Sequence, residues 1–229
     1  MQAQCAVGFQ EDCSEPARIK LPVAGGGGLA LVASSGFALP RFNGGPWNID
    51  NPSTGADQLV VIVGVTDSGE FGNYFDTAPA GFAFGSDHPN TGAYNYPGRR
   101  YAWKITDGTE GSTFSVDASS TGGDVTFLAA AFSGVDTANP FAEERLPANG
   151  YSGTATLAAP AAGDLFVAFM AAQTTVGNVT GEDADIVRSV DHAEAMYQGL
   201  AVTSSVRSFE WTFGSSVEWG FVGLSLNGA

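Results

Sequence analysis

The feature that most constrains the fold of this chain is a run of residues, 101–136, whose apolar side chains repeat at the period of β-strands. Tyr101, Trp103 and Ile105 alternate with smaller or polar residues, which predicts a strand with one face against a core and the other in water. At residues 125–132 both faces are apolar, as in a strand that lies in the middle of a sheet and is covered above and below. Such a sheet needs a second layer.

The residues between these strands predict a hairpin. Asp107, Gly108 and Gly111 are typical turn residues and leave a loop of about five residues. Phe114 and Val116 then resume the apolar alternation. We therefore expect the strand that contains them to return beside the first one.

Composition favours an all-β class. The chain has 229 residues, with 31 glycines and 16 phenylalanines but only 9 lysines and arginines together. Apart from a short run at residues 192–198, no stretch shows a sustained helical stripe. A chain of this length buries roughly 70% of its unfolded surface, which suits one large domain. We place a single β-sandwich domain at residues 29–229 and an extended N-terminal arm at residues 1–28.

The second half of this domain repeats the pattern of the first. The segment GDLFVAF at residues 163–169 echoes ADQLVVIV at residues 56–63, and SFEWTFGSS at residues 208–216 echoes STFSVDASS at residues 112–120. In the first pair of segments, Asp57 and Asp164 are 107 residues apart. In the second pair, Ser112 and Ser208 are 96 residues apart. Chance similarity among strands rich in glycine and serine is the alternative. Two related halves, neither able to cover its own apolar face, predict an antiparallel β-sandwich.

The arm differs in composition from the body. Pro16 and Pro22 interrupt it, and the four glycines at residues 25–28 predict a flexible hinge. Either the surface of the body or a neighbouring molecule could hold such an arm. Its apolar residues are the candidate partner-binding residues: Phe9, Ile19, Leu21 and Val23.

The two cysteines of the chain, Cys5 and Cys13, both lie in the arm, so no disulfide can join parts of the body. Their spacing permits a local bridge. Because no secretion signal is recognisable, two free thiols are the favoured interpretation.

The charge of the chain excludes one large class of partners. The formal net charge is −15, from 24 acidic and 9 basic residues. A body this acidic is repelled by phosphate backbones, so we expect no binding to nucleic acid. No apolar run approaches the roughly 18 residues of a membrane span, so we expect no membrane partner either.

No pattern of reactive side chains predicts an enzyme, a cofactor or a metal site. His88 and His192 each follow an aspartate and are interpreted as surface residues. Glu143 and Glu144 are a candidate carboxylate pair for sugar hydrolysis, but neighbours on a strand face opposite ways. The acidic run at residues 182–185 lacks the alternating spacing and distal glutamate of a calcium loop, and predicts a solvated loop.

The tract at residues 66–100 is rich in glycine and aromatic residues. It could form a platform for sugars or a contact with another protein, or it could pack beneath its own loops as a satellite core. The satellite core is the favoured interpretation. The aromatic residues are Phe71, Tyr74, Phe75, Phe82, Phe84, Tyr94 and Tyr96.

The order of strand and turn motifs over about residues 50–229 resembles a group of β-sandwich domains found in structural proteins of tailed bacteriophages. The chain departs from that pattern where Phe82 replaces the usual Trp and where Ala56 replaces the Gly before Asp57. The motifs that carry the resemblance are the strand at residues 57–63, PAGF at 79–82, the aromatic strand at 101–105, GTE at 108–110, the short strand at 113–116, FSGVD at 132–136 and the strand at 163–169.

The resemblance implies a jelly-roll-like sandwich and a role in the virion. The favoured role is a capsid decoration, or cement, protein on the outer capsid surface, assembled in the host cytoplasm, which clamps neighbouring capsid subunits. Its partners would be the major capsid protein or other virion proteins, and it would form a homo-oligomer, with a trimer expected. The alternatives are a tail or baseplate appendage that contacts the host through residues 71–96, and a carbohydrate-binding module that shares the scaffold.

Overall fold

The computed structural model describes residues 28–39, 45–67, 75–88, 98–118, 124–145, 149–174, 176–192 and 196–229. No helix in these ranges is long and apolar enough to cross a membrane. Apart from one turn of 3-10 helix at Val176–Asn178, the regular elements described are strands. They are β1 (Ala30–Leu39), β2 (Trp47–Asp50), β3 (Ala56–Asp67), β4 (Phe75–Thr77), β5 (Ala83–His88), β6 (Gly98–Asp107), β7 (Thr113–Ala118), β8 (Asp124–Ser133), β9 (Phe141–Arg145), β10 (Asn149–Leu157), β11 (Leu165–Ala172), β12 (Val179–Gly181), β13 (Ile186–His192), β14 (Met196–Thr203) and β15 (Phe209–Leu226).

The first half of the chain builds a five-stranded antiparallel sheet in the order β1-β8-β3-β6-β5. The residues at 125–132 lie in β8, between β1 and β3, and all of them are buried. The prediction of a central strand covered on both faces is confirmed, as is the all-β class. The strand needs both neighbours because its backbone groups have no access to water.

The predicted hairpin is wrong. Strand β7 does not pair with β6. It pairs with β2 and β4 in a separate three-stranded sheet, here called the small sheet. Phe114 and Val116 belong to one buried apolar cluster with Val60, Ile62 and Phe127, on the outer face of the five-stranded sheet. The chain leaves its sheet at this point because that outer face is apolar and has to be covered.

Strand β6 is consequently not half-exposed along its whole length. Tyr101 packs into the core between the two main sheets, and Trp103 and Ile105 lie against it, as the alternation predicts. Ala102 and Thr106, which the alternation assigns to water, are 0% and 2% exposed. The small sheet covers the outer face near Ala102.

The second half builds a seven-stranded sheet whose main path is β10-β15-β11-β14-β13, with β9 and β12 both pairing with β15. Phe209, Trp211 and Phe213 at the start of β15 are buried, whereas Glu210 is exposed, which confirms the alternation predicted there. The ring of Phe209 stacks on Phe166 of β11 at a centroid distance of 4.8 Å. The first part of β15 therefore covers the outer face of the sheet that its second part joins.

The two halves have the same topology. In the first half the central strand β3 lies between β8 and β6, and β5 follows β6 at the edge. In the second half the central strand β11 lies between the second part of β15 and β14, and β13 follows β14 at the edge. The covering strands also match, because β4 pairs with β7 as β12 pairs with the first part of β15. The predicted repeat is confirmed at the level of topology.

Both predicted offsets of the repeat are wrong by one residue. The offset of 107 would align Leu59, which faces the core between the sheets, with Phe166, which faces the outer cluster; Leu59 matches Leu165, an offset of 106.

The second offset differs in the same way. Trp47 pairs with Val116, and Ala155 pairs with Trp211 at the matching place in the second half. Since 211 minus 116 is 95, the offset here is 95 and not 96. An offset of 96 would align buried Phe114 with exposed Glu210, and a slip of one residue turns every side chain to the other face.

The inner faces of the two main sheets pack on each other as a β-sandwich. β1 lies against β13, β8 against β14 and β6 against β15, so the lateral order of one sheet is reversed in the other. This arrangement corresponds to an approximate two-fold axis along the strands. The core between the sheets consists of Leu29, Leu31, Leu59, Val61, Val63, Val65, Tyr101, Leu128, Ala130, Phe132, Val135, Leu165, Val167, Phe169, Ala171, Val187, Met196, Leu200, Val202, Val222, Leu224 and Leu226.

Two buried polar side chains cross between the halves at matching positions. Arg99, which is 1% exposed, donates from Nε to the carbonyl oxygen of Phe221 at 2.8 Å. Gln198, the equivalent residue of β14, donates to the carbonyl oxygen of Val63 at 3.4 Å. Burial lowers the pKa of Arg99 to about 10. Each half thus donates a side-chain hydrogen bond to the backbone of the other.

Gly220 makes room for the Arg99 guanidinium, because a Cβ on Gly220 would lie 2.3 Å from Nη1 of Arg99. We expect Gly220→Ala to lower the free energy of unfolding by about 1–3 kcal/mol through overpacking. Urea unfolding measures this value. The control is Gly111→Ala, where the nearest atom to a new Cβ is 3.9 Å away. Equal effects of the two substitutions would contradict the assigned role of Gly220.

Candidate functional site

The two adjacent glutamates of β9 hold different parts of the structure. Glu143 pairs with Arg145 at 2.8 Å and accepts a hydrogen bond from the amide of Ala161 at 2.9 Å. Glu144 accepts hydrogen bonds from Ser86, at 2.7 Å, and from the Tyr101 hydroxyl. The expectation that Glu143 and Glu144 face opposite ways, and so do not form a carboxylate pair around one sugar bond, is confirmed.

The contact between Tyr101 and Glu144 joins the two halves. Tyr101 lies on β6 of the first half and Glu144 on β9 of the second. Burial and the Glu144 carboxylate raise the pKa of Tyr101. Gly85 leaves the space for this ring, since a Cβ on Gly85 would lie 1.8 Å from its Cζ atom. The sequence carries no signal of this pair, because its members belong to different repeats.

The acidic run at residues 182–185 is not a solvated loop. Arg207 contacts Asp183 Oδ1 and Asp185 Oδ2, each at 2.5 Å. The Asp183 carboxylate also accepts the amide hydrogens of Asp185, at 2.9 Å, and Glu210, at 2.8 Å. The prediction is wrong because the turn before β15 places a cation, 22 residues beyond Asp185, against both carboxylates.

The aromatic residues described in the tract at 66–100 form a satellite core. The ring of Phe75 meets Phe84 at 5.2 Å, and Phe82 meets Phe114 at 4.9 Å. The Arg100 guanidinium lies 3.5 Å from the centre of the Phe84 ring. The other aromatic residues of the tract lie outside the described residues: Phe71, Tyr74, Tyr94 and Tyr96.

Several predicted residues are not placed. His88 ends β5 and His192 ends β13, but their side chains are outside the described part, so their surface position stays a prediction. The arm except Gly28 is also outside it. This applies to the cysteines and to the candidate anchors: Cys5, Cys13, Phe9, Ile19, Leu21 and Val23. Within the described ranges, no cluster of three or more His, Cys, Asp or Glu residues could hold a metal ion.

The turn motifs of the resemblance have structural roles. Gly81 takes a φ of 81° in the turn closed by the hydrogen bond from the Phe82 amide to the Pro79 carbonyl oxygen, at 3.0 Å. Glu110 accepts the amide hydrogens of residues 107 and 108, each at 3.0 Å, and pairs with Lys104 at 2.7 Å. The first motif therefore sets the path of the chain where it enters the five-stranded sheet at β5, and the second where it leaves that sheet after β6.

The base of the arm lies where the two halves are joined. A Cβ on Gly134 would lie 2.6 Å from the carbonyl oxygen of Gly28, so the two glycines are in close contact. The Ala229 amide donates to the Gly134 carbonyl oxygen at 2.9 Å, and Val135 forms a β-bridge with Gly228. Residue 28, the connection between the halves and residues 227–229 thus meet at one end of the sandwich, here called the arm-base end.

A shallow polar groove opens at the same end, beside the start of β3 and the end of β6. Its volume is about 240 Å³. Asn51 spans it, donating to the Gly111 carbonyl oxygen and accepting the Ser53 amide hydrogen, both at 2.9 Å. Hydrogen bonds join several of its lining residues to one another. The lining residues are Asn51, Ser53, Thr54, Gly55, Gly108, Glu110, Gly111 and Ser112.

These features make the arm-base end the candidate attachment surface. Sequence reasoning predicted an arm with a hinge, but not the contact of Gly28 with Gly134. Comparison with known proteins gives no relative from which a function could be carried over: no family model, curated protein or solved structure matches the chain.

The Arg207 contact predicts a dependence of stability on pH. Burial raises the pKa of Asp183, but hydrogen bonds from Arg207 and two backbone amides outweigh this effect and lower the pKa. A lowered pKa stabilises the fold above the ordinary aspartate value and loses that contribution as the pH falls through the folded value. We therefore expect the free energy of unfolding to fall below about pH 4.

Asp183→Asn should cost about 2 kcal/mol at pH 7, because charged hydrogen bonds to a buried group are lost. The difference from the unsubstituted protein should shrink toward pH 2. Urea unfolding across this pH range measures both effects, and Asp57→Asn, at an exposed residue, is the control. A difference independent of pH would contradict the assignment.

Proposed function

We propose that this chain is a structural protein of a tailed-bacteriophage virion, and that it decorates the capsid by clamping neighbouring shell subunits with residues 1–28. The observation that carries the proposal is the position of Gly28, which contacts Gly134 at the junction of the two halves. An arm that starts there pulls on both halves together. The phage-like motifs support the same role, because those described form strands and turns of the sandwich.

The clamp works through binding free energy. A protein that binds the assembled shell, and not the separated subunits, stabilises the shell by mass action. Ordering the backbone of an arm costs about 1–2 kcal/mol for each residue. The contact must therefore be extensive and partly apolar. Within the arm, the apolar residues are the anchors this requires: Phe9, Ile19, Leu21 and Val23.

The charge of the body fits an outward position. Residues 51–229 carry 6 basic and 20 acidic residues, a net charge of −14. Bodies of like charge repel one another, which keeps neighbouring copies on the shell apart and free copies soluble. They also repel the packaged DNA. Residues 1–50 carry 3 basic and 4 acidic residues, so the arm and its neighbouring strands add little to this repulsion.

Deletion of residues 1–24 should abolish binding to capsids while the body stays folded, because the anchors are lost and the hinge is kept. Co-sedimentation with capsids that lack the protein measures binding, and urea unfolding measures the body. A substitution pair refines the test. Ile19, Leu21 and Val23 replaced by serine should weaken binding strongly, whereas the control with Ala3, Ala6 and Ala17 replaced by serine should not. Full occupancy of the capsid sites by the protein that lacks residues 1–24 would reject the proposal.

Electron microscopy of virions labelled on this protein tests the location. Label over the head supports the proposal, and label at the tail tip would replace it with the appendage role. A glycan array tests the remaining alternative. Specific sugar binding by the free protein, without binding to capsids, would identify a carbohydrate-binding module instead.

A further inference from the structure

We propose that β1 transmits tension from the arm into the body, and that it resists tension along its length much better than tension across it. The inference deepens the proposed function, since a clamp must carry tension. Its test uses the free protein and no capsid, so the two proposals can fail separately.

Strand β1 follows the arm almost at once, since only Leu29 lies between Gly28 and Ala30. It is an edge strand that pairs with β8 through nine residue pairs, from Ala30 with Ser133 to Leu39 with Val125. The ladder therefore begins at the arm-base end and runs to the opposite end, here called the far end.

Side contacts fix β1 against sliding. The Ser35 hydroxyl donates to the Asp50 carbonyl oxygen at 2.5 Å, which ties β1 to the small sheet. Arg188 of the second half donates to the Ser34 carbonyl oxygen at 3.2 Å. Gly36 fits closely between Leu128 and Val190, since a Cβ on it would lie 2.5 Å and 3.2 Å from their side chains. The strand is thus held by its neighbour, by the small sheet and by the opposite half.

The direction of the force decides how these contacts share it. Ladder hydrogen bonds lie perpendicular to the strands. A pull along β1 loads all nine pairs together, so they must break at once. A pull across β1 at the arm-base end loads the Ala30 pair first and then each following pair in turn. The first geometry requires the larger force.

Single-molecule force spectroscopy on the full chain tests this difference. One handle is native Cys13, with Cys5→Ser to leave a single arm thiol. The second handle is a cysteine in one of two exposed positions, Ser216→Cys at the far end or Ser204→Cys at the arm-base end. Handles 13 and 216 pull along β1, and handles 13 and 204 pull across it.

We expect the first rupture to need a several-fold larger force with handles 13 and 216. In both geometries it should release residues 28–39, which measure roughly 40 Å when extended at 3.3–3.6 Å for each residue. The contour gain expected for β1 is this length corrected, in each geometry, for the change in distance between the two points that hold the folded body. β1 should yield first because the second part of β15, which bears the far-end handle, has partners on both sides. Urea unfolding must give both variants the same stability.

Equal rupture forces in the two geometries would overturn the inference. So would a first rupture whose contour gain differs from that of β1, because the tension would then enter the body through another element. Neither outcome would affect the binding tests of the arm. Loss of capsid binding on deletion of the arm would likewise leave the mechanical result unchanged.

Discussion

Both main sheets of this protein are apolar on both faces, and the rest of the structure depends on that constraint. Each sheet buries its inner face against the other, and each needs a further cover on its outer face. The first half supplies this cover with the small sheet β2-β7-β4, and the second half with the early part of β15 and its neighbours. The sandwich is therefore four layers deep, built twice from one topology.

The same constraint determines which contacts the buried polar and charged side chains make. Between the sheets, Arg99 and Gln198 each donate a hydrogen bond to a backbone carbonyl oxygen of the opposite half. At the edges, Glu144 joins β9 to Tyr101, and Asp183 holds the turn that carries Arg207. The contacts of Arg99, Gln198 and Glu144 connect the two halves, whereas the contact of Asp183 with Arg207 joins two segments within the second half. A body stiffened in this way is suited to transmit force from an arm.

The proposed attachment and the proposed resistance to tension both involve the arm-base end. Gly28 and residues 227–229 both contact the connection between the halves there. The arm consequently leads into β1, and β1 is tied to both halves. In the proposed role the acidic body remains outside the shell while the arm provides the binding free energy. These separate roles of arm and body follow from composition. The candidate anchors lie in the arm, and most of the net charge lies in the body.

The sequence by itself determined the strands and their exposed and buried faces where one face meets water, as in Phe209, Trp211 and Phe213. It also determined the repeat and the central position of β8. Tertiary structure alone decided that β7 crosses to another sheet, that the repeat offset at Val116 is 95, and that Arg207 reaches two aspartates. Of the candidate site, the sequence predicted the arm and its hinge but not the Gly28–Gly134 contact. The reason is that a period of two assigns faces but not partners, and strand pairing joins residues far apart in the chain.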